Sequence, residues 1–293
     1  MEPFGRVTII GVGLIGGSLG MELRARGLAR EVVGVTRVEE TIAAARARGA
    51  IDMGTVDPVA GVAGADLVVL ATPPGLVVSM AQRVLPHLRP GTLLTDVASV
   101  KANIVRPIEA IVRQDGVVFV GGHPMAGNEG QGIAAAEPGL FEGTVYLLTP
   151  TDRTAPSGVK RLADLARSVG AVPVELSPDE HDRTVALTSH LPYLVAAALM
   201  RATATAGPTA GPAFLGATRV AGSPVAMWGE ICRLNQESIQ KALQAFREEL
   251  ARLEEAMTDG DRLGEMLEAA RQARLRLGTH RSAGGSSGDR DRN

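Results

Sequence analysis

An α/β domain on a parallel sheet, followed by an all-helical domain, is the architecture this sequence predicts. Short runs rich in Val, Ile and Leu alternate with helical stretches up to about residue 176. Such continuous apolar runs mark strands covered on both faces. The chain opens on a strand-glycine-helix junction, RVTIIGVGLIGGSLG. Beyond Ser177 no further strand pattern occurs, and the chain reads as helix up to Gly278. At 293 residues it is long enough for two domains. We therefore expect an α/β domain over 1–176, a helical domain over 177–278 and a polar, disordered tail over 279–293.

Strands are expected at 6–10, 31–35, 66–71, 92–96, 117–120, 145–148 and 171–176, and helices at 17–26, 39–48 and 160–169. In the second half, 182–205 is helical and apolar almost all round between residues 191 and 200, the pattern of a buried central helix. Pro192 inside it should kink the helix or open a turn. Ile239, Leu243, Phe246, Leu250, Leu253 and Met257 recur three or four residues apart. That stripe serves equally as intradomain core or as a dimer seam.

Composition narrows the partners. The net charge is -2, and the arginines are scattered, so neither nucleic acid nor an anionic membrane is favoured. The single cysteine, Cys232, cannot form an intramolecular disulfide. The start MEPFGRVTIIG lacks the pattern of a secretory signal, and the 191–200 run is short for a bilayer. A soluble, cytoplasmic protein is expected.

Gly11, Gly13 and Gly16 spell G-x-G-x-x-G between a strand and a helix, the dinucleotide-binding fingerprint of a Rossmann-type domain. The first glycine makes the tight turn, the second admits a pyrophosphate to the backbone, and the third lets helix pack on strand. Leu14 and Ile15, between them, lie in the turn that leads to the helix whose free N–H groups face the phosphates. The end of the second strand carries Thr36 and Arg37 in place of the acidic residue that binds a ribose diol. A guanidinium suits a 2′-phosphate, so NADP is favoured over NAD; the alternative is that Arg37 stacks on adenine or faces solvent. Thr72 and Pro73 close the next strand at the sheet's carboxyl edge and are placed beside the nicotinamide, although Pro73 also ends a strand without any ligand.

Two further strand ends carry polar residues that a turn does not need. DVASVK supplies Asp96, Ser99 and Lys101, and GGHPMAG supplies His123. By position, His123 is either catalytic or a turn histidine capping backbone. Taken in order, GVGLIGGSLG, ATPP, DVASVK, GGHPMAG, SPDEHDRTVALTSHLPY and TRVAGSPVAMW resemble the prephenate/arogenate dehydrogenase family of tyrosine biosynthesis, from about residue 6 to 278.

The resemblance implies a Rossmann domain with a helical dimerisation domain, and NAD(P)-dependent oxidative decarboxylation of prephenate or arogenate by a homodimer. On the matching positions, His123 takes the proton of the ring 4-hydroxyl while hydride leaves the same carbon. Ser99 hydrogen-bonds that hydroxyl, and Arg219 grips a substrate carboxylate. Ser189 and His190 fall near substrate, His190 being equally readable as a core histidine. Trp228 reads as core packing before substrate contact. Asp182 reads as a cap of its own helix or a contact to the partner subunit. The chain departs from several family members at Tyr193, where they have a histidine, which touches substrate preference. A β-hydroxyacid or imine-type dehydrogenase is the rival enzyme reading, but it needs a catalytic lysine or a different proton donor in the helical domain, and Arg219 with His123 is not that arrangement. An NADP-binding module without activity would leave His123, Ser99 and Arg219 with no shared task.

Overall fold

The computed structural model describes residues 1–112, 116–204 and 210–283. Eight strands form one sheet: β1 (Phe4–Ile10), β2 (Ala29–Val35), β3 (Met53–Thr55), β4 (Leu67–Leu70), β5 (Leu93–Asp96), β6 (Val118–Pro124), β7 (Val145–Thr149) and β8 (Val172–Glu175). Their order is β3-β2-β1-β4-β5-β6-β7-β8. Val7, Ile9, Leu67, Val69 and Leu93 are fully buried on one side, and Val68, Leu70 and Leu94 on the other. Each such side chain withdrawn from water contributes roughly 1.5–3 kcal/mol before entropy is charged.

The helices α1 (Leu14–Ala25), α2 (Glu39–Ala47), α3 (Pro58–Val62), α4 (Pro74–Val84), α5 (Ala102–Ile111) and α6 (Pro156–Ser168) connect these strands. The seven expected strands are present; the three-residue β3 is an addition too short to leave a pattern. The expectation of a wholly parallel sheet fails at one place. β6 and β7 are antiparallel, with His123 opposite Leu147. Only a 3-10 turn at Ile133–Ala135 lies between them, so no helix carries the chain back across the sheet.

The helical part begins with α7 (Pro178–Val185), whose start is fixed by a capping box between Ser177 and Glu180. A π turn at Ala186–His190 joins it to α8 (Leu191–Ala202). Pro192 sits in the first turn of α8, where its missing N–H does least harm, and the wide turn precedes it. The expected burial of 191–200 is not found: only Ala196 is buried, and Met200 is exposed. An all-round apolar helix demands cover, but one chain supplies only part of it. By length and apolar content the run Pro178–Ala202 could cross a bilayer. Its His181 and Asp182, however, are hydrogen-bonded into the α/β domain.

Then come α9 (Pro212–Thr218), α10 (Val225–Leu234), α11 (Gln236–Ala256) and α12 (Gly260–Ala283). Met1–Ile239 forms one compact unit, and a second begins at Gln240. Compactness therefore continues past residue 177, because Asp182 and Glu230 bond across the junction. Along the stripe, Ile239 is buried while Phe246, Leu250 and Met257 are exposed. Of the segment 279–293, residues 279–283 continue α12, and 284–293 lie outside the described residues.

Candidate active site

The glycine turn ends β1 and starts α1. Gly11 has φ +100°, and a Cβ there would lie 2.4 Å from the Ala71 carbonyl oxygen, so only glycine fits. Gly13 precedes the helix, and a Cβ on it would meet nothing nearer than Gly132 Cα at 4.0 Å, which leaves the space above the turn open. The amides of Leu14, Ile15 and Gly16 form the first helical turn, whose N–H groups have no intrahelical partner. At the end of β4, the buried Thr72 hydroxyl has no partner among the described residues, and Pro73 is exposed.

Thr36 and Arg37 behave differently from one another. Thr36 is buried, and its hydroxyl donates to the Val38 carbonyl at 2.8 Å. Its one proton is committed, so it can accept from a ribose hydroxyl but cannot donate to a phosphate in this rotamer. Arg37 is exposed, with no ion-pair partner among the described residues. The case for a 2′-phosphate thus narrows from two residues to Arg37.

The chemistry-bearing cluster forms where β6 outruns its neighbour. β6 pairs with β5 through Val120, then continues from Gly121 to Pro124 against β7 alone. A Cβ on Gly122 would lie 2.7 Å from the Asp96 carbonyl oxygen, so glycine lets the strand pass close by. His123 is 8% exposed. Its Nδ1 lies 2.9 Å from His181 Nε2, and His181 Nδ1 lies 2.8 Å from Asp182 Oδ1. No protein group among the described residues bonds His123 Nε2. Burial, with His181, Lys101 and His190 around it, pushes the His123 pKa well below its ordinary value.

Asp96 and Lys101 are fully buried and satisfy each other, Nζ donating to Oδ2. The Ala98 and Gly122 amides also donate to Asp96, at 3.0 and 3.3 Å. Sequence position had grouped both with the catalytic candidates; the structure makes them a staple between strand ends, with Lys101 close enough to oppose a charge on His123. Asp182 neither caps its own helix nor faces solvent. It accepts from the Lys101 and Ala102 amides at 2.7 and 2.9 Å, capping α5.

A second chain of contacts runs from Asp182 into the helical part. The Asn235 side-chain amide donates to the Asp182 carbonyl at 2.7 Å and lies 3.3 Å from His190 Nδ1. His190 is fully buried, its Nε2 has no partner among the described residues, and burial pulls its pKa down to about 4. Ser99, half-buried, lies with its backbone against His190. Trp228 meets His190 edge-on at 5.9 Å and stacks flat on Tyr193 at 3.8 Å. Ser189 is half-buried in the π turn. Arg219 stands apart: its side chain is 64% exposed and pairs with Glu129.

The structure thus joins His123, Ser99, His190, Trp228 and Tyr193 through shared contacts. Sequence reasoning missed His181, Asn235 and Glu129. The adjacent histidine and aspartate in SPDEHDRT were the available signal, since that pair can hydrogen-bond wherever it folds.

A mostly parallel sheet with a glycine turn at its carboxyl edge and a buried histidine beside it defines a dinucleotide-binding α/β protein. Residues 19–175 match the family described as prephenate dehydrogenase, nucleotide-binding domain, and residues 177–270 match prephenate dehydrogenase, dimerization domain. The prephenate dehydrogenase of Bacillus subtilis (strain 168) is 34% identical over 242 residues, 80% of this chain. The chain spans 65% of that relative's length. The cyclohexadienyl dehydrogenase of Zymomonas mobilis is 31% identical over 290 residues, 95% of this chain and 98% of its own. Among solved structures, prephenate dehydrogenase from A. aeolicus in complex with hydroxyphenyl propionate and NAD+ superimposes with a TM-score of 0.85 at 32% identity, over 93% of this chain and 98% of that one. This chain belongs to the prephenate dehydrogenase family.

Proposed function

We propose that the chain catalyses the NAD(P)-dependent oxidative decarboxylation of a cyclohexadienyl substrate, prephenate to 4-hydroxyphenylpyruvate or arogenate to tyrosine. His123 carries this reading: it is buried beyond the last β5 pairing, its Nδ1 is tied to His181, and its Nε2 is uncommitted. Residues 1–176 serve the dinucleotide, and 177–278 serve substrate and dimerisation.

The residues suit a dinucleotide. The open space at Gly13, the free amides of Leu14, Ile15 and Gly16 and the orphaned Thr72 hydroxyl are what pyrophosphate and nicotinamide ends would use. When bound, the nicotinamide supplies the hydride acceptor. His123 Nε2 takes the proton of the ring hydroxyl as the C–H electron pair on the same carbon leaves as hydride. Once the carbonyl has formed, the bond to the ring carboxylate breaks, carbon dioxide departs and its electron pair makes the ring aromatic. The proton held at His123 returns to the phenolic oxygen, so none is released overall. Ser99 donates to the reacting oxygen, and Ser189, His190 and Tyr193 line the substrate's side.

Arg219 binds a substrate carboxylate. Its present partner, Glu129, is an exposed carboxylate, so exchange for substrate costs little, since such pairs are worth about 0.2–1 kcal/mol. Arg37 favours NADP over NAD. The uncovered faces of α8 and the α11 stripe favour a homodimer. One measurement tests the whole reading: steady-state rates with prephenate, arogenate and a small 3-hydroxy acid, each with NAD and NADP. Turnover confined to the hydroxy acid, or absent throughout, would overturn it.

A further inference from the structure

The buried chain Asp182–His181–His123 has a direction that its donors and acceptors fix. Asp182 receives three hydrogen bonds, from the Lys101 and Ala102 amides and from His181 Nδ1. Backbone amides can only donate, and three donors converging on one carboxyl favour its ionised, acceptor-only form. Burial alone would raise the Asp182 pKa, but His181 and these amides hold it below the ordinary carboxylate range. An ionised Asp182 requires a proton on His181 Nδ1. Neutral His181 then carries its lone pair on Nε2, and the proton in the 2.9 Å contact belongs to His123 Nδ1.

We propose that His181 and Asp182 are positioning residues that lock His123 in the Nδ1–H tautomer, leaving the Nε2 lone pair as the base. This rests on His123 being the base and goes beyond it by naming what makes it one. When His123 accepts the substrate's proton at Nε2, its Nδ1 proton can pass to His181 Nε2. The positive charge then lies on His181, against Asp182, and the reverse shift returns the proton for delivery to the phenolic oxygen. The exposure of this chain is confined to 8% at His123 and 4% at Asp182, which suits a proton that is borrowed and returned.

The test separates tautomer from turnover. Imidazole 15N shifts of His123 are read at pH 7.5 in the native protein, His181→Leu and His181→Gln, alongside kcat, KM and cofactor Kd. The native spectrum should show Nδ1 protonated and Nε2 bare. His181→Leu should lose that tautomer and lower kcat roughly 10²-fold, with KM and Kd within about three-fold of native. His181→Gln, whose carbonyl can still accept from Nδ1–H, should keep the tautomer and recover part of kcat. A native His123 protonated at Nε2 overturns the proposal, as does a His181→Leu protein with native tautomer and rate. If His181→Leu does not fold, the native and His181→Gln spectra decide. If His123→Asn keeps native turnover, the base assignment fails instead, whatever the tautomer.

Discussion

Two regions of the molecule hold their charges in opposite ways. Between β5, β6 and α7, Asp96, Lys101, His181 and Asp182 are buried, and each is hydrogen-bonded to another member or to backbone. In the other region, Arg219 shares an exposed pair with Glu129, and Arg37 has no partner among the described residues. A buried charge that loses its partner costs about 3–5 kcal/mol, whereas an exposed pair is worth about 0.2–1 kcal/mol. The first region is therefore fixed before substrate arrives and suits chemistry. The second can change partners at little cost and suits recognition of anions.

The sharpest way to break this contrast is at His123. His123→Asn should lower kcat roughly 10²–10⁴-fold while leaving substrate KM and cofactor binding near native. Turnover within a few-fold of native at pH 7 would reduce His123 to a turn residue. Because the base must be neutral and its pKa is depressed, native kcat/KM should fall only on an acid limb below pH 6.5.

Acid should next find the buried region through His190. Around it stand Asp182, which favours its charged form, and His181, which opposes it, while burial dominates and takes its pKa to about 4. The unfolded chain takes up a proton near pH 6.5, but the folded chain does not until about 4. Stability is thus full above 6.5 and lost as pH falls toward 4, by about 3 kcal/mol for this group. Denaturation midpoints measured from pH 7 to 4.5 should show the decline, and His190→Asn should make it shallower, the depressed His123 and His181 keeping the remainder. An equal slope in both proteins would assign the effect elsewhere.

These two regions were unequally legible in the sequence. The glycine turn could be read because φ +100° at Gly11 demands glycine, and His123 because it lies at the carboxyl end of a strand. His181 could not be assigned, since its partner lies 58 residues away and only the fold brings them together. The reversal of β7 was hidden for a related reason: direction depends on whether a helix crosses the sheet, and 125–144 has the length for one. Apolarity at 191–200 announced cover without saying that one chain supplies only part of it.

Recognition should give smaller effects with a different signature. Arg219→Ala should raise substrate KM by about 10–100-fold with kcat changed far less, the loss of a charged hydrogen bond present in ground and transition states. An unchanged KM would remove Arg219 from the site. Glu129→Gln, which frees the guanidinium, should lower KM slightly. At the adenine end, Arg37→Ala should cut the NADP-over-NAD ratio of kcat/KM by about 10-fold, one charged contact to a 2′-phosphate. Thr36→Asp should go further and reverse the ratio by setting a carboxylate against that phosphate. A native enzyme using NAD as well as NADP would end the assignment of Arg37.

The smallest expected effect concerns Tyr193. Prephenate and arogenate share ring, hydroxyl and both carboxylates, differing in a keto group against an ammonium, so His123 and Ser99 do not distinguish them. Tyr193 does not turn into the core; it stacks on Trp228 at 3.8 Å with the rings 1° from parallel, and Trp228 in turn meets His190. That stack holds the phenol of Tyr193, which brings one neutral donor and no cation. Less positive charge should disfavour the more anionic prephenate relative to arogenate with its compensating ammonium. Arogenate should therefore be used at least as well as prephenate, by a factor of a few, since the site stays partly open and water screens the difference. Tyr193→His should gain on prephenate specifically, more at pH 6 than at pH 8, because only the imidazolium adds charge. Tyr193→Phe keeps the stack and should leave the ratio nearly unchanged. A strong native preference for prephenate that neither substitution alters would place the selection elsewhere, with Arg219 as the next residue to vary.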